Sequence, residues 1–133
     1  MRYLGIDFGM SHIGLAVGEK IPHEFGTIKY KDLKILVQEV ITICEQEKID
    51  AIVIGVPSDN YEESTHKTTL LAFINLLKSH NLDVKTIDES FTSFDSNEIL
   101  KEAGVDWKKS KERIHQLSAV LILNQYISSQ DIK

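Results

Sequence analysis

The chain has 133 residues, of which 42% are hydrophobic and 26% charged, and a formal net charge of −5. That length gives one core of ordinary size and excludes a two-lobed enzyme, and the acidic balance excludes nucleic-acid binding driven by overall charge alone. A lone cysteine, Cys44, excludes an intrachain disulfide and a cysteine-built zinc site.

No apolar stretch approaches the roughly 20 residues of a membrane span. The first apolar run carries an acid at Asp7, unlike a signal peptide, so a cytoplasmic, non-membrane protein is expected. Residues 1–133 read as a single domain, without repeats or linkers.

Arg2 to Phe8, His12 to Gly18 and Pro22 to Ile28 are short runs with β-branched residues, separated by turns, and predict a three-stranded meander. Asp32 can cap a helix from Leu33 to about Lys48, along which Leu33, Leu36, Val37, Val40, Ile41 and Cys44 recur at helical spacing. Cys44 is then a core residue. Asp50 to Val56 is an uninterrupted apolar run stopped by Pro57, as expected of a central strand covered on both faces.

The Ser58–Ser64 stretch has turn composition, and Ser64 or Thr65 can cap a helix carrying Leu70, Leu71, Phe73, Ile74 and Leu77, with Asn81 marking its end. Leu82 to Ile87 predicts a further strand ending in the acidic pair Asp88-Glu89. Thr92 with Asp95 is a capping box for a helix through Leu100 that Gly104 closes. A last helix from about Lys109 to Tyr126 places Ile114, Leu117, Leu121 and Ile122 on an apolar stripe.

Meander connections make antiparallel pairs and helical crossovers make parallel ones, so the expected class is α/β: a five-stranded mixed sheet flanked by helices, with two parallel strands added to the meander. Ligands of such sheets gather at strand carboxyl ends near a switch point, here the ends carrying Asp7, Gly55 and Glu89.

Asp7 is the most informative residue. An unpaired carboxylate in a buried strand costs on the order of several kcal/mol, so a cation must compensate it: a metal ion, or an arginine or lysine partner. Gly5 and Gly9 permit close approach of a ligand or another backbone. Glu89 is the second candidate, and two hard oxygen ligands from neighbouring strands suit Mg²⁺ or Mn²⁺; the alternatives are a merely solvated strand end, or Asp88 as the functional acid. His115, one turn before Ser118 and Ala119, can face the sheet across small residues as a third ligand or as a structural histidine. Lys108, Lys109, Lys111 and Arg113, with Lys101 upstream, put five of the 15 basic residues in one stretch, either a phosphate-binding patch or a solvated helix start.

Five segments together resemble the YqgF family, also called RuvX or Holliday junction resolvase-like, over nearly the whole chain. They are Leu4-Gly5-Ile6-Asp7-Phe8-Gly9, Ile13 to Val17, Val53 to Pro57, Asp88 to Ser93 and Ile114 to Ala119. The resemblance implies a ribonuclease-H-like fold and a metal-dependent nuclease acting on the small-subunit ribosomal RNA precursor or on branched DNA. It places Asp7 on the family's first acid and Glu89 on the acid of its Asp-Glu-Arg motif. His115 stands where the family has its third acid, His12 where a basic residue is usual, Ser90 where arginine is, and Glu62-Glu63-Ser64 near its Asp-Gly-Ser.

The implied site therefore has Asp7, Glu89 and His115 holding Mg²⁺ or Mn²⁺. His12, Ser90, Thr92, Lys108, Lys109 and Lys111 face a structured RNA or branched DNA. Gly9, Gly55, Pro57, Ser58 and Ser64 form the surrounding loops. Imidazole is a poor Mg²⁺ ligand and an acceptable one for Mn²⁺ or other transition ions, which shifts the expected metal; as a second role, His115 can transfer protons. The competing reading is a non-catalytic nucleic-acid or ribosome-assembly module that kept the fold and lost the third acid. A third is a sugar-kinase or actin-like phosphate loop at Gly5 to Gly9, which the length disfavours. Monomer and homodimer are both open.

Overall fold

The computed structural model describes residues 1–9, 11–56, 65–88 and 111–131. In chain order the elements are β1 (Tyr3–Asp7), β2 (His12–Gly18), β3 (His23–Lys29), α1 (Leu33–Gln46), β4 (Ala51–Val56), α2 (Thr65–Ser79), β5 (Val84–Asp88) and α3 (Lys111–Asp131). The helix expected over 92–100 lies outside the described residues.

The five strands form one sheet in the order β3-β2-β1-β4-β5. β1 and β3 both run antiparallel to β2, while β4 lies parallel to β1 and β5 parallel to β4, which is the expected mixture of meander and crossovers. One expectation needs correction. β4 stands between β1 and β5, so the strands leading to Asp7 and Glu89 are not neighbours; each crossover helix adds its strand outward from β1.

Period-two alternation divides the sheet. Leu4, Ile6, Phe8, Ile13, Leu15, Val17, Ile52 and Ile54 point to one face, where Leu36, Val37, Val40 and Cys44 of α1 and Leu70, Phe73, Ile74 and Leu77 of α2 complete the main core. Ala16 and Val53 point to the other, where α3 lays Ala119, Ile122, Leu123 and Ile127. Asp32 begins α1 as expected, its carboxylate accepting from the Ile35 N–H at 2.9 Å.

Chain ends of elements move for local reasons. α1 stops at Gln46, short of Lys48, because Lys48 takes a left-handed φ of 53°. β5 begins at Val84 instead of Leu82, because the Leu82 N–H is still turned back to the Leu77 carbonyl at the exit of α2. It also includes Asp88, which pairs with Val56. α3 extends five residues past Tyr126, and its buried stripe is Ser118, Ala119, Ile122, Leu123 and Ile127, one position round from the one expected through Leu117 and Leu121. The stripe begins with the small residues Ser118 and Ala119 because there the helix backbone rests on the sheet glycines.

Candidate functional site

Three glycines decide how closely α3 can approach the sheet. A Cβ on Gly5 would stand 2.9 Å from the Ala119 carbonyl oxygen, and one on Gly14 would run into that of His115. Both contacts are to helix backbone, so α3 lies directly on β1 and β2 with no side chain between. Its course is antiparallel to β1: His115 is at the Asp7 end, and Tyr126 meets the Tyr3 ring edge-on at 5.5 Å at the other end. Gly9 completes the cradle, since a Cβ there would meet the His12 carbonyl oxygen at 2.5 Å and the His115 ring at 3.1 Å.

This docking delivers His115 to Asp7. Asp7 closes β1, pairs with Gly14, and is 6% exposed. Its Oδ2 lies 3.0 Å from Nδ1 of His115. Among the described residues the group that meets the buried carboxylate is thus an imidazole, with no arginine or lysine beside it. Oδ1 has no hydrogen bond among the described residues. The His12 ring, two residues along β2 from Gly14 and on the same face, lies nearly parallel to that of His115 with centroids 6.5 Å apart. Ser118, one turn on, is fully buried behind the pair.

The donor set suits a divalent cation. A carboxylate oxygen and an imidazole nitrogen 3.0 Å apart are donors that a divalent ion could take together, the carboxylate supplying a hard anionic ligand and the imidazole a softer one. Among the described residues no group of three or more acidic, histidine or cysteine side chains could hold a metal. Two of the three expected ligands, Asp7 and His115, are therefore brought together, and Glu89 lies outside the described residues. So do Pro57, Ser58, Ser64, Ser90, Thr92, Lys108 and Lys109, while Lys111 opens α3 with its side chain outside the description. Gly55 sits in β4 beside Ile87 of β5, near the same sheet end.

An apolar groove of about 580 Å³ lies elsewhere, between β3 and α1, lined by Ile28, Ile35, Gln38, Thr42 and Ile43. It contains no acid–imidazole pair, and chemistry places the site at Asp7 instead. The glycine at 14 was a functional position the sequence did not single out; its signal is a glycine inside a buried strand, which marks close backbone approach.

The model of the RuvX family, described as Holliday junction resolvase, matches residues 1–129. The chain belongs to that family. A relative from Mycoplasmopsis synoviae, named "Putative pre-16S rRNA nuclease", is 34% identical over 96% of this chain and 97% of its own length. Among solved structures, the RuvC of T. thermophilus in complex with Holliday junction substrate superposes with a TM-score of 0.69 at 13% identity, covering 99% of this chain and 97% of that one. The Fowlpox virus resolvase with Holliday junction DNA gives 0.58 at 14%, each chain covered fully. At those identities the likeness concerns the fold, which is ribonuclease-H-like, with a metal-dependent nuclease chemistry general to the RuvX family. No described helix is long and apolar enough to cross a membrane.

Proposed function

We propose that this RuvX-family chain is a divalent-metal-dependent nuclease of structured nucleic acid, with Asp7, Glu89 and His115 as its metal-binding and catalytic residues. The observation that carries the reading is the buried Asp7 carboxylate facing His115 at 3.0 Å at the end of a central strand, its second oxygen without a hydrogen bond among the described residues. Ile87 packs on the α3 face. A bound divalent ion would stabilise charge on the scissile phosphate and activate the attacking water. Asp7 and Glu89 supply the anionic ligands, and His115 a nitrogen ligand that favours Mn²⁺ or another transition ion over Mg²⁺.

His12 lies on the rim toward which the backbone would pass, and Ser90, Thr92, Lys108, Lys109 and Lys111 are assigned to the same interface. Gly9 follows β1 beside it, Gly55 belongs to strand β4 and not to a loop as expected, and Pro57, Ser58 and Ser64 are assigned to the loops around the site. Phosphate contacts of this kind give affinity with little base preference. The name of the relatives, a pre-16S rRNA nuclease, favours the small-subunit ribosomal RNA precursor as substrate; we assign the cut to its 5′ end and the protein to the cytoplasm, with a four-way DNA junction as the other substrate to test. A second reading is a binding module in which His115 occupies Asp7 as a hydrogen-bond partner in place of a metal, an arrangement the 3.0 Å contact also allows.

The deciding experiment is cleavage of a precursor RNA fragment and of a four-way DNA junction, with Mg²⁺ and Mn²⁺ separately. Metal-dependent cleavage by the native protein, lost in Asp7→Asn, supports the nuclease. No cleavage of either substrate with either ion, or undiminished cleavage by Asp7→Asn, refutes it; in the first case a gain on His115→Asp identifies the site as an inhibited nuclease and no gain identifies the binding module.

A further inference from the structure

We infer that Lys29 and Lys31 form a phosphate-binding track that leads the nucleic-acid backbone away from Asp7 across the ends of β2 and β3. The inference rests on the nuclease reading and gives its site a direction.

Register supplies the first argument. Asp7 pairs with Gly14, and His12, two residues further along β2, pairs with Lys29. Paired residues share a face, so Lys29, His12 and Gly14 all point toward the α3 side where His115 meets Asp7. Tyr30 turns the other way to meet Phe8 edge-on at 6.0 Å, and its N–H donates to the Ser11 carbonyl at 2.9 Å. That bond carries the hairpin one step past its last pair and holds the backbone between Lys29 and Lys31 in place.

Charge supplies the second. Lys29 and Lys31 are exposed, and among the described residues neither has an ion pair, whereas Arg2 and Lys85 at the far end of the sheet are matched by Glu47 and Asp83. In a chain of net charge −5, two uncommitted ammonium groups beside an imidazole on the rim of a buried carboxylate form a local cationic strip. Lys29 lies two strands from β1, roughly 10 Å across the sheet, a distance that about three stacked nucleotides at ~3.4 Å each would cover. The strip therefore contacts phosphates two to three positions from the one at Asp7 and adds no base preference.

The test is anisotropy of a fluorescein-labelled RNA hairpin and of a labelled four-way DNA junction, titrated with the full chain at several salt concentrations. For whichever probe the native protein binds, Lys29→Ala/Lys31→Ala should weaken binding about tenfold at low salt. The slope of log K against log salt should fall by about 0.7–0.9 per lost contact. Lys20→Ala, an exposed lysine in the turn after β2 at the opposite end of the sheet, should leave both quantities unchanged. A double variant with native affinity and slope overturns the track alone, as does a Lys20→Ala loss of equal size, which would reduce the effect to overall charge. A native protein that binds neither probe overturns this inference and the nuclease reading together.

Discussion

The Nδ1 of His115 lies 3.0 Å from Oδ2 of Asp7, although the two residues are 108 positions apart in the chain. The contact exists because α3 rests on bare backbone at Gly5 and Gly14, which lets the carbonyl of His115 itself touch β2. A longer helix-to-sheet spacing would place an imidazole above the carboxylate but out of reach of it.

Exchanging Asp7 for asparagine keeps an oxygen that can accept from His115 while removing the charge. Asp7→Asn should melt within about 1 kcal/mol of the native protein, because the hydrogen bond survives and a buried charge is lost. Metal-dependent cleavage should fall at least about 10³-fold, the scale of several kcal/mol of lost metal assistance. Urea denaturation beside single-turnover cleavage checks both halves.

Metal preference should follow residue 115. In native protein, Mn²⁺ should raise the melting temperature more than Mg²⁺ at equal concentration, and in His115→Asp the order should reverse, because a third oxygen ligand suits the harder ion. Saturation near 100 times the dissociation constant corresponds to about 2.7 kcal/mol, or roughly 5–10 °C for a chain of this size. Differential scanning fluorimetry reads this without any substrate.

Glycines 14 and 26 give a paired comparison. Gly14→Ala would drive a methyl into the His115 carbonyl and should cost about 3 kcal/mol or more. Gly26→Ala, in β3 with nothing within 4 Å of the new methyl, should be neutral or stabilising by about 0.5 kcal/mol. Chemical denaturation of the two variants checks the difference.

Cys44 points from α1 into the main core, and burial pushes its thiol up to about 11 from an ordinary value near 9. The thiolate is therefore scarce at neutral pH, and a disulfide reagent at pH 8 should label native protein far more slowly than urea-unfolded protein. The sign for stability follows: the raised value contributes fully below about pH 9 and is lost as pH climbs toward 11, so alkaline melts should fall in native protein and less in Cys44→Ala.

How much was legible in the sequence follows from the range of each interaction. Alternation and helical spacing are local, so the strands, α1 and its Asp32 cap, the burial of Cys44 and the mixed sheet could all be read from residues a few positions apart. The oddity of an acid in the run Leu4 to Phe8 marked Asp7 for the same reason. Glu89 at the expected strand end and His115 before the small residues Ser118-Ala119 were candidates on local pattern, and the family motifs then fell on both. What no local pattern holds is the docking of α3: that its buried stripe is Ser118-Ala119-Ile122, that Gly14 receives the His115 carbonyl, and that an imidazole is the counter-group of Asp7. Sheet order is equally non-local, since β4 separates β1 from β5 only once crossovers are packed. The side chains of the chemistry were written in the chain, but their meeting was set by which surfaces were bare enough to let a helix come down onto the sheet.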